Sequence, residues 1–318
     1  MRGEPQGTVV VSVDAELGWG YHDHESPPAW LDAARDGWRE LLSLCDTYDV
    51  PTTWAFVGHL LLEDCDGRHP DHPLSPEWFA RERGGWADRP DLRFGPELVT
   101  AVRDADADHE LACHSFSHVL FGDPDVSRTV AAAEVEACLR LAAERDVSLS
   151  SFVFPRNEVG HRDVLADHGF ACYRGNAPPA GPTVPLGRQV SKLMGGMTRA
   201  PVPPLVDATI DEHGLVDVPA SLYLFGFQGL ARRLVDTVRG DPVVRSVRRG
   251  LNAVTGTDRI LHLWLHPNNL RTDADVERLQ RVLELVRERI DAGGVRVETM
   301  GEVAERVRAQ RNVEPSRR

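Results

Sequence analysis

Lysine is almost missing from this chain: Lys192 is the only one among 318 residues, and the remaining cationic side chains are arginine. Set against 49 Asp and Glu, the 36 basic residues leave a formal net charge of −13. Such an acidic balance repels polyanions, which excludes nucleic acid as a general partner. Cysteine is sparse too. Cys45, Cys65, Cys113, Cys138 and Cys172 are odd in number, scattered and without a CxxC pair, which speaks against a disulfide framework or a zinc knuckle. Cys113, beside His114, reads as small apolar filler, because neighbours on a strand point to opposite faces. No apolar stretch of the secretory type follows Met1, and no run reaches the roughly 18 apolar residues of a membrane span. The expectation is a cytoplasmic protein. A GxGxxG fingerprint is also missing after the first apolar run, so a dinucleotide-binding fold has no support.

What is present is core and alternation. Hydrophobic residues make up 42% of the chain, enough for a sizeable interior. Thr8 to Val13 is β-branched and strand-like, and Leu31 to Tyr48 carries Trp38, Leu41, Leu42 and Leu44 at near-helical spacing. Pro51 to Gly58 reads as a second strand, with Trp54 as a packing residue, and a polar, Pro- and Trp-rich insertion follows over 63–96. Strand and helix patterns then alternate: 97–104 helix, 109–113 strand, 127–145 helix, 148–154 strand, 162–168 helix, 170–173 strand. From 177 to 257 a second insertion is expected. It opens as a Pro- and Gly-rich loop, and its later part joins a largely helical, basic stretch over 222–254 with Arg232, Arg233, Arg239, Arg245, Arg248 and Arg249. A strand at 260–266, a helix at 276–290, a strand at 295–299 and a helix at 301–308 close the pattern, with 312–318 a flexible tail. Repeated strand–helix units predict an α/β fold of parallel strands joined by crossovers, a barrel or a doubly wound sheet.

In such folds reactive side chains collect at the carboxyl ends of the strands. Four strands end in useful chemistry: Asp14 and Glu16 after the first, His114 and His118 after the one ending near Cys113, Pro155-Arg156-Asn157-Glu158 after Phe154, and His266-Pro267-Asn268-Asn269 after the last apolar run. Spacing of four would bring His114 and His118 to one face of a helical turn, within reach of one cation. Asp14 and Glu16, two apart on a strand, can face the same side. Each feature has a plain alternative: surface or core histidines for the pair, an ordinary ion pair for Arg156, a hydrogen-bonded core imidazole for His266, a solvent-facing Glu16.

Taken in order, these segments resemble the polysaccharide deacetylase family, which includes chitin and peptidoglycan deacetylases. Ser12-Val13-Asp14-Ala15-Glu16 is similar to the family's first motif, His114-Ser115-Phe116-Ser117-His118 to its His-Ser/Thr-x-x-His motif, Phe154-Pro155-Arg156 to its arginine segment and Leu263-Trp264-Leu265-His266 to its late Leu-x-x-His. The likeness runs from Val9 to about Val307. It implies one domain over 1–311, a distorted parallel (β/α) barrel of seven strands, with 63–96 and 177–257 as insertions. It also implies a metal-dependent hydrolase that removes an N-acetyl group from an amino-sugar unit. His114, His118 and Glu16 would bind a divalent metal, zinc first, with cobalt, manganese and nickel as alternatives. Asp14 would be the general base, the swap with Glu16 being open, His266 the acid, and Arg156 the cation that holds Asp14 ionised.

The expected partner is an N-acetylated saccharide or a nucleotide- or lipid-linked sugar. The basic stretch over 222–254 would serve a diphosphate or a peripheral membrane contact, or would be a solvated helix face. His22 and His24 read as loop residues, and Trp19 and Trp264 as flat faces for a sugar ring. Two other readings stand beside this one: a metal-independent hydrolase of another, cyclic amide, and a non-catalytic saccharide-binding member.

Overall fold

The computed structural model describes residues 6–21, 23–178, 201–226 and 240–313. β-Branched residues favour extended backbone, and the first such run forms β1 (Gly7–Ala15), buried along its whole length. α1 (Ala34–Thr47) turns Trp38, Leu41, Leu42 and Cys45 inward and leads to β2 (Thr53–Phe56). The polar stretch after β2 holds only short pieces, among them α2 (Pro90–Arg93), yet Phe79, Trp86 and Leu92 in it are buried in the main core. The strand–helix unit then repeats through α3 (Pro96–Arg103), β3 (Glu110–Cys113), α4 (Arg128–Ala143), β4 (Ser151–Val153), α5 (Arg162–Asp167) and β5 (Cys172–Arg174). Ser127 caps α4 by accepting from the Val130 amide.

Three short strands follow, β6 (Thr209–Ile210), β7 (Val216–Asp217) and β8 (Leu222–Tyr223). α6 (Pro242–Val254), capped by Asp241, precedes β9 (Ile260–Leu265). α7 (Asp273–Asp291), β10 (Val295–Val297) and α8 (Met300–Val313) finish the fold.

Among the described residues all strands join one sheet in the order β6-β7-β5-β4-β3-β2-β1-β9-β8, with β10 also paired to β1. Every strand pairing is parallel except β6 with β7. The sheet curls, because one run of chain meets both of its sides. Ala220 N donates to Gly175 O at 3.0 Å on the β5 side, and Ser221 N to His262 O at 2.8 Å on the β9 side. The architecture is a mostly parallel, curled α/β half-barrel, and among the described residues it has ten strands where seven were expected.

Three expectations change. The stretch 177–257 is not wholly an excursion: β6, β7 and β8 lie within it and pair into the sheet, each too short to show a period of two. The basic stretch is not helical from 222, since Leu222–Tyr223 is β8; Arg232, Arg233 and Arg239 lie outside the described residues, and Arg248 and Arg249 are exposed on α6. Asn312 continues α8 instead of starting a tail. Among the described residues no helix is long and apolar enough to cross a membrane.

Candidate active site

β1 ends by delivering two carboxylates to one place. Asp14 is 3% exposed and Glu16 4%, so each needs partners, because an unpaired buried charge is costly. Leu17, with φ 46°, turns the chain sharply after Glu16, and its carbonyl is held by Asn268 Nδ2 at 2.7 Å. Gly20 makes the room: a Cβ there would lie 2.0 Å from Glu16 Oε1.

The partners of Glu16 are imidazoles. Its Oε2 lies 3.1 Å from His118 Nε2 and 3.6 Å from His114 Nε2. One donor atom from each of the three buried residues falls within 4.8 Å of the others. Burial works against the Glu16 charge, but His266, His114 and His118 outweigh it and hold the carboxyl well below its usual range. Burial also pushes the His118 imidazolium down, against the pull of Glu16.

The two histidines do not meet through a helical turn. Residues 114–118 form a loop in which Ser115 (φ 61°) and His118 (φ 62°) take left-handed backbone, a conformation that costs energy for non-glycine residues and gathers at functional sites. Neighbours hold the loop in that shape. His114 N donates to Phe56 O at 2.9 Å, and Gly58 N to Ser115 O at 2.8 Å. Glu134, fully buried on α4, accepts from Ser117 N at 2.7 Å and from its hydroxyl at 2.5 Å. Burial pushes Glu134 up to about 7. His114 Nδ1 lies 2.7 Å from Val153 O, which it meets as a donor, and this turns Nε2 toward Glu16. That Nε2 is buried and has no hydrogen-bond partner among the described residues. An orphaned imidazole nitrogen beside a second imidazole and a carboxylate is a donor set that fits a divalent cation such as zinc.

Asp14 has a different partner. Arg174, at the end of β5 and fully buried, grips it with both nitrogens, Nη1 to Oδ1 at 2.5 Å and Nη2 to Oδ2 at 2.7 Å. Burial would raise the Asp14 pKa, but the guanidinium and then His266 overcome it, leaving the carboxyl below its ordinary value of 3.8. Arg174 is itself fixed by Ser12 Oγ at 3.1 Å, by Asn157 Oδ1 at 3.0 Å and by the Trp264 ring, 4.6 Å from its guanidinium carbon. Behind it Ser12 Oγ meets His262 Nε2 at 2.8 Å. Burial and the nearby Arg174 push His262 down to about 3, which keeps that ring neutral.

His266 completes the group. Its Nε2 is 3.7 Å from both Asp14 Oδ2 and Glu16 Oε1. Its backbone is pinned by Asn269 Oδ1 at 2.8 Å, and Tyr223 stands edge-on to its ring. These side chains line an open cleft of about 430 Å³ with Tyr21, His24, Arg156, Asn157 and Trp264 at its wall.

The structure therefore brings together Asp14, Glu16, His114, His118 and His266. Arg156 is the correction. It sits on the rim, half exposed, paired with Asp23 at 2.7 Å and reaching Gly20 O at 3.4 Å, so the cation against Asp14 is Arg174. Left-handed backbone at Arg156 (φ 53°) and Asn157 (φ 57°) turns this loop, sending Asn157 inward to Arg174 and Arg156 outward. Exposed pairs contribute about 0–1 kcal/mol. Arg156→Ala should accordingly leave stability within about 0.5 kcal/mol of the parent in thermal unfolding; a larger loss would mean that the Asp23 pair holds the rim together. Of the aromatic residues, Trp19 is buried, Trp54 packs 5.4 Å from Trp38 in the core, and Trp264 lies on the cleft. His24 lines the cleft, while His22 is outside the described residues.

No protein-family model matches the chain, and no curated protein matches it by sequence. Solved structures do match in fold. A Mycobacterium smegmatis protein assigned as a polysaccharide deacetylase has a TM-score of 0.61 at 18% identity, covering 98% of this chain and 93% of that one. One assigned likewise from Pseudomonas aeruginosa PAO1 has a TM-score of 0.56 at 13% identity, covering 94% and 89%. Puue allantoinase has a TM-score of 0.58 at 12% identity, covering 96% and 91%. At these identities the likeness is one of fold.

Proposed function

We propose that this chain is a metal-dependent hydrolase that removes an N-acetyl group from an amino-sugar unit. One observation carries the reading: a buried Glu16, His114 and His118 triad lies directly beside an arginine-clamped Asp14 and His266 at the floor of an open cleft. The fold shared with polysaccharide deacetylases supports it.

Glu16, His114 and His118 would hold a divalent cation, zinc first and cobalt, manganese or nickel as alternatives, whose chemistry there is Lewis acidity toward an amide carbonyl and water. Asp14, not Glu16, is the base in this assignment, because Glu16 is the carboxylate against both imidazoles. Kept ionised by Arg174, Asp14 takes the proton of the attacking water at Oδ2, the oxygen facing His266. His266 Nε2, 3.7 Å from both carboxylates, then gives a proton to the departing amine. Tyr223, itself held by Asn269 Nδ2 at 2.9 Å, stands edge-on to that ring. Trp264 offers an apolar ring to a sugar face. Arg156 and His24, at the rim, meet hydroxyls or, in a nucleotide- or lipid-linked precursor, a phosphate.

The test is acetate release from N-acetylated amino sugars and their activated precursors before and after chelation. Removing the metal should cost on the order of a thousandfold in rate, and zinc or cobalt should restore it. Full activity in a metal-free preparation, above all toward a cyclic amide, would replace this reading with that of a metal-independent amide hydrolase. The allantoinase neighbour shares this fold.

A further inference from the structure

A second group of metal-type donors lies outside this cleft. His59 follows β2 on a short 3-10 turn, Gly58–Leu61, and Cys65, His69 and Glu82 belong to the inserted stretch. Their donor atoms all fall within 4.8 Å of one another. His59 Nε2 is 3.0 Å from Glu82 Oε2, His69 Nε2 is 3.4 Å from Glu82 Oε1, and Cys65 Sγ is 3.2 Å from His69 Nε2. Tetrahedral ligation at about 2.0–2.3 Å sets donors roughly 3.3–3.8 Å apart, so only small adjustments separate these contacts from a closed four-donor shell.

Hydrogen bonding alone leaves this cluster unexplained. His59 is fully buried among Trp19, Phe94 and Phe116, yet neither of its ring nitrogens makes an aligned hydrogen bond among the described residues. Buried polar atoms without partners are rare and costly. A cation would take Nε2 and neutralise a thiolate and a carboxylate with its two charges. The outer contacts that orient a ligand are also in place. Arg93 Nη2 holds Glu82 Oε2 at 2.6 Å and Cys65 O at 3.0 Å, while Gly67 N points at Cys65 Sγ from 3.3 Å. Gly67 (φ 69°) supplies the left-handed turn between Cys65 and His69.

We propose that His59, Cys65, His69 and Glu82 form a second, structural cation site for zinc or a metal of similar softness, one that fastens the inserted stretch to the barrel. One thiolate, two imidazoles and one carboxylate leave no open position, which is the mark of a structural site and not a catalytic one. Its location gives it a purpose. Trp19, three residues after Glu16, rests on the His59 ring at 4.4 Å. Phe116, between His114 and His118, packs on His59 and His69. Trp78 of the insertion donates to Ser117 Oγ at 2.9 Å. A cation here would brace both loops that carry the first site.

Sulfur separates the two sites experimentally, since the cleft has none. Cobalt added to the metal-free, full-length protein should bind at two equivalents and produce a thiolate-to-cobalt charge-transfer absorption in the near ultraviolet. Cys65→Ser should lose that band and one equivalent, whereas His118→Ala should lose one equivalent and keep the band. The unmutated protein gives an independent reading, because Cys65 is the single cysteine not buried: bound zinc should slow its reaction with a thiol reagent at least about tenfold. A cobalt protein without the band, a band that survives Cys65→Ser, or thiol reactivity unchanged by zinc would each overturn the proposal. A band with no cation at the cleft would instead sink the hydrolase reading and leave this one standing.

Discussion

Asp14→Asn is expected to lower kcat/KM for acetate release by about 10²–10⁴, the usual contribution of a positioned general base, while the metal content stays at the parent level. The amide has nearly the shape of the carboxylate but cannot accept the water's proton. It also leaves Arg174 buried without its anion, so some stability will go with the activity. That loss, about 3–5 kcal/mol for a broken buried pair, makes unfolding curves part of the experiment, and rates should be compared well below the variant's midpoint. Glu16→Gln provides the contrast. It removes one of three donors, and its loss of activity should track loss of metal at the cleft, with partial recovery at high zinc. Should Asp14→Asn lose the metal and Glu16→Gln keep it, the two carboxylates have exchanged roles. Elemental analysis beside acetate release on both variants decides the matter.

The long elements of this fold were readable because their patterns repeat often enough to be unmistakable. β1 is a β-branched run buried on both faces, as a central parallel strand must be, and α1 and α7 carry apolar stripes over several turns. β6, β7 and β8 were not readable. Two residues cannot display a period, and these pairings are set by the curl of the sheet that places Val216–Tyr223 between β5 and β9.

The site was legible through one rule, polar residues at strand ends, and its one misplacement came from applying that rule unevenly. Arg174 closes β5 directly after Cys172 and Tyr173, as Asp14 nearly closes β1. An arginine at the end of a short buried strand is the available signal; Arg156 also follows a strand end, and its segment resembles the family's arginine segment as well. His114 and His118 were paired by helical spacing, but a strained loop held by Glu134 and the backbone after β2 brings them together. That contact is tertiary, and four-residue spacing cannot encode it. The cluster of His59, Cys65, His69 and Glu82 lies mostly in the stretch read as a polar, Pro- and Trp-rich insertion, its donors separated by uneven intervals that match no zinc signature.

Arg174→Gln should produce the widest set of changes, since one guanidinium serves Asp14, Ser12, Asn157 and the Trp264 face. In the parent protein the folded-state pKa of Asp14 lies below its unfolded value. Its contribution to stability is therefore full above the unfolded pKa and lost as pH falls through the folded one. Removing Arg174 leaves burial as the dominant influence, and burial pushes the carboxyl upward. The sign then reverses: the variant gains on acidification and loses stability as pH rises through the raised pKa. Two measurements follow from the same cause. The acid limb of kcat/KM should move to higher pH in Arg174→Gln, and unfolding free energy at neutral pH should fall by about 3–5 kcal/mol, the cost of leaving a buried ion without its partner. Arg174→Lys should recover part of the limb but not the full stability, because a point charge replaces a two-pronged grip. The double variant Arg174→Gln with Asp14→Asn should cost less than the two single changes added together, as expected for residues in direct contact. An acid limb that stays in place in Arg174→Gln would remove Arg174 from control of Asp14, and strict additivity in the cycle would say that the pair acts as two independent packing residues.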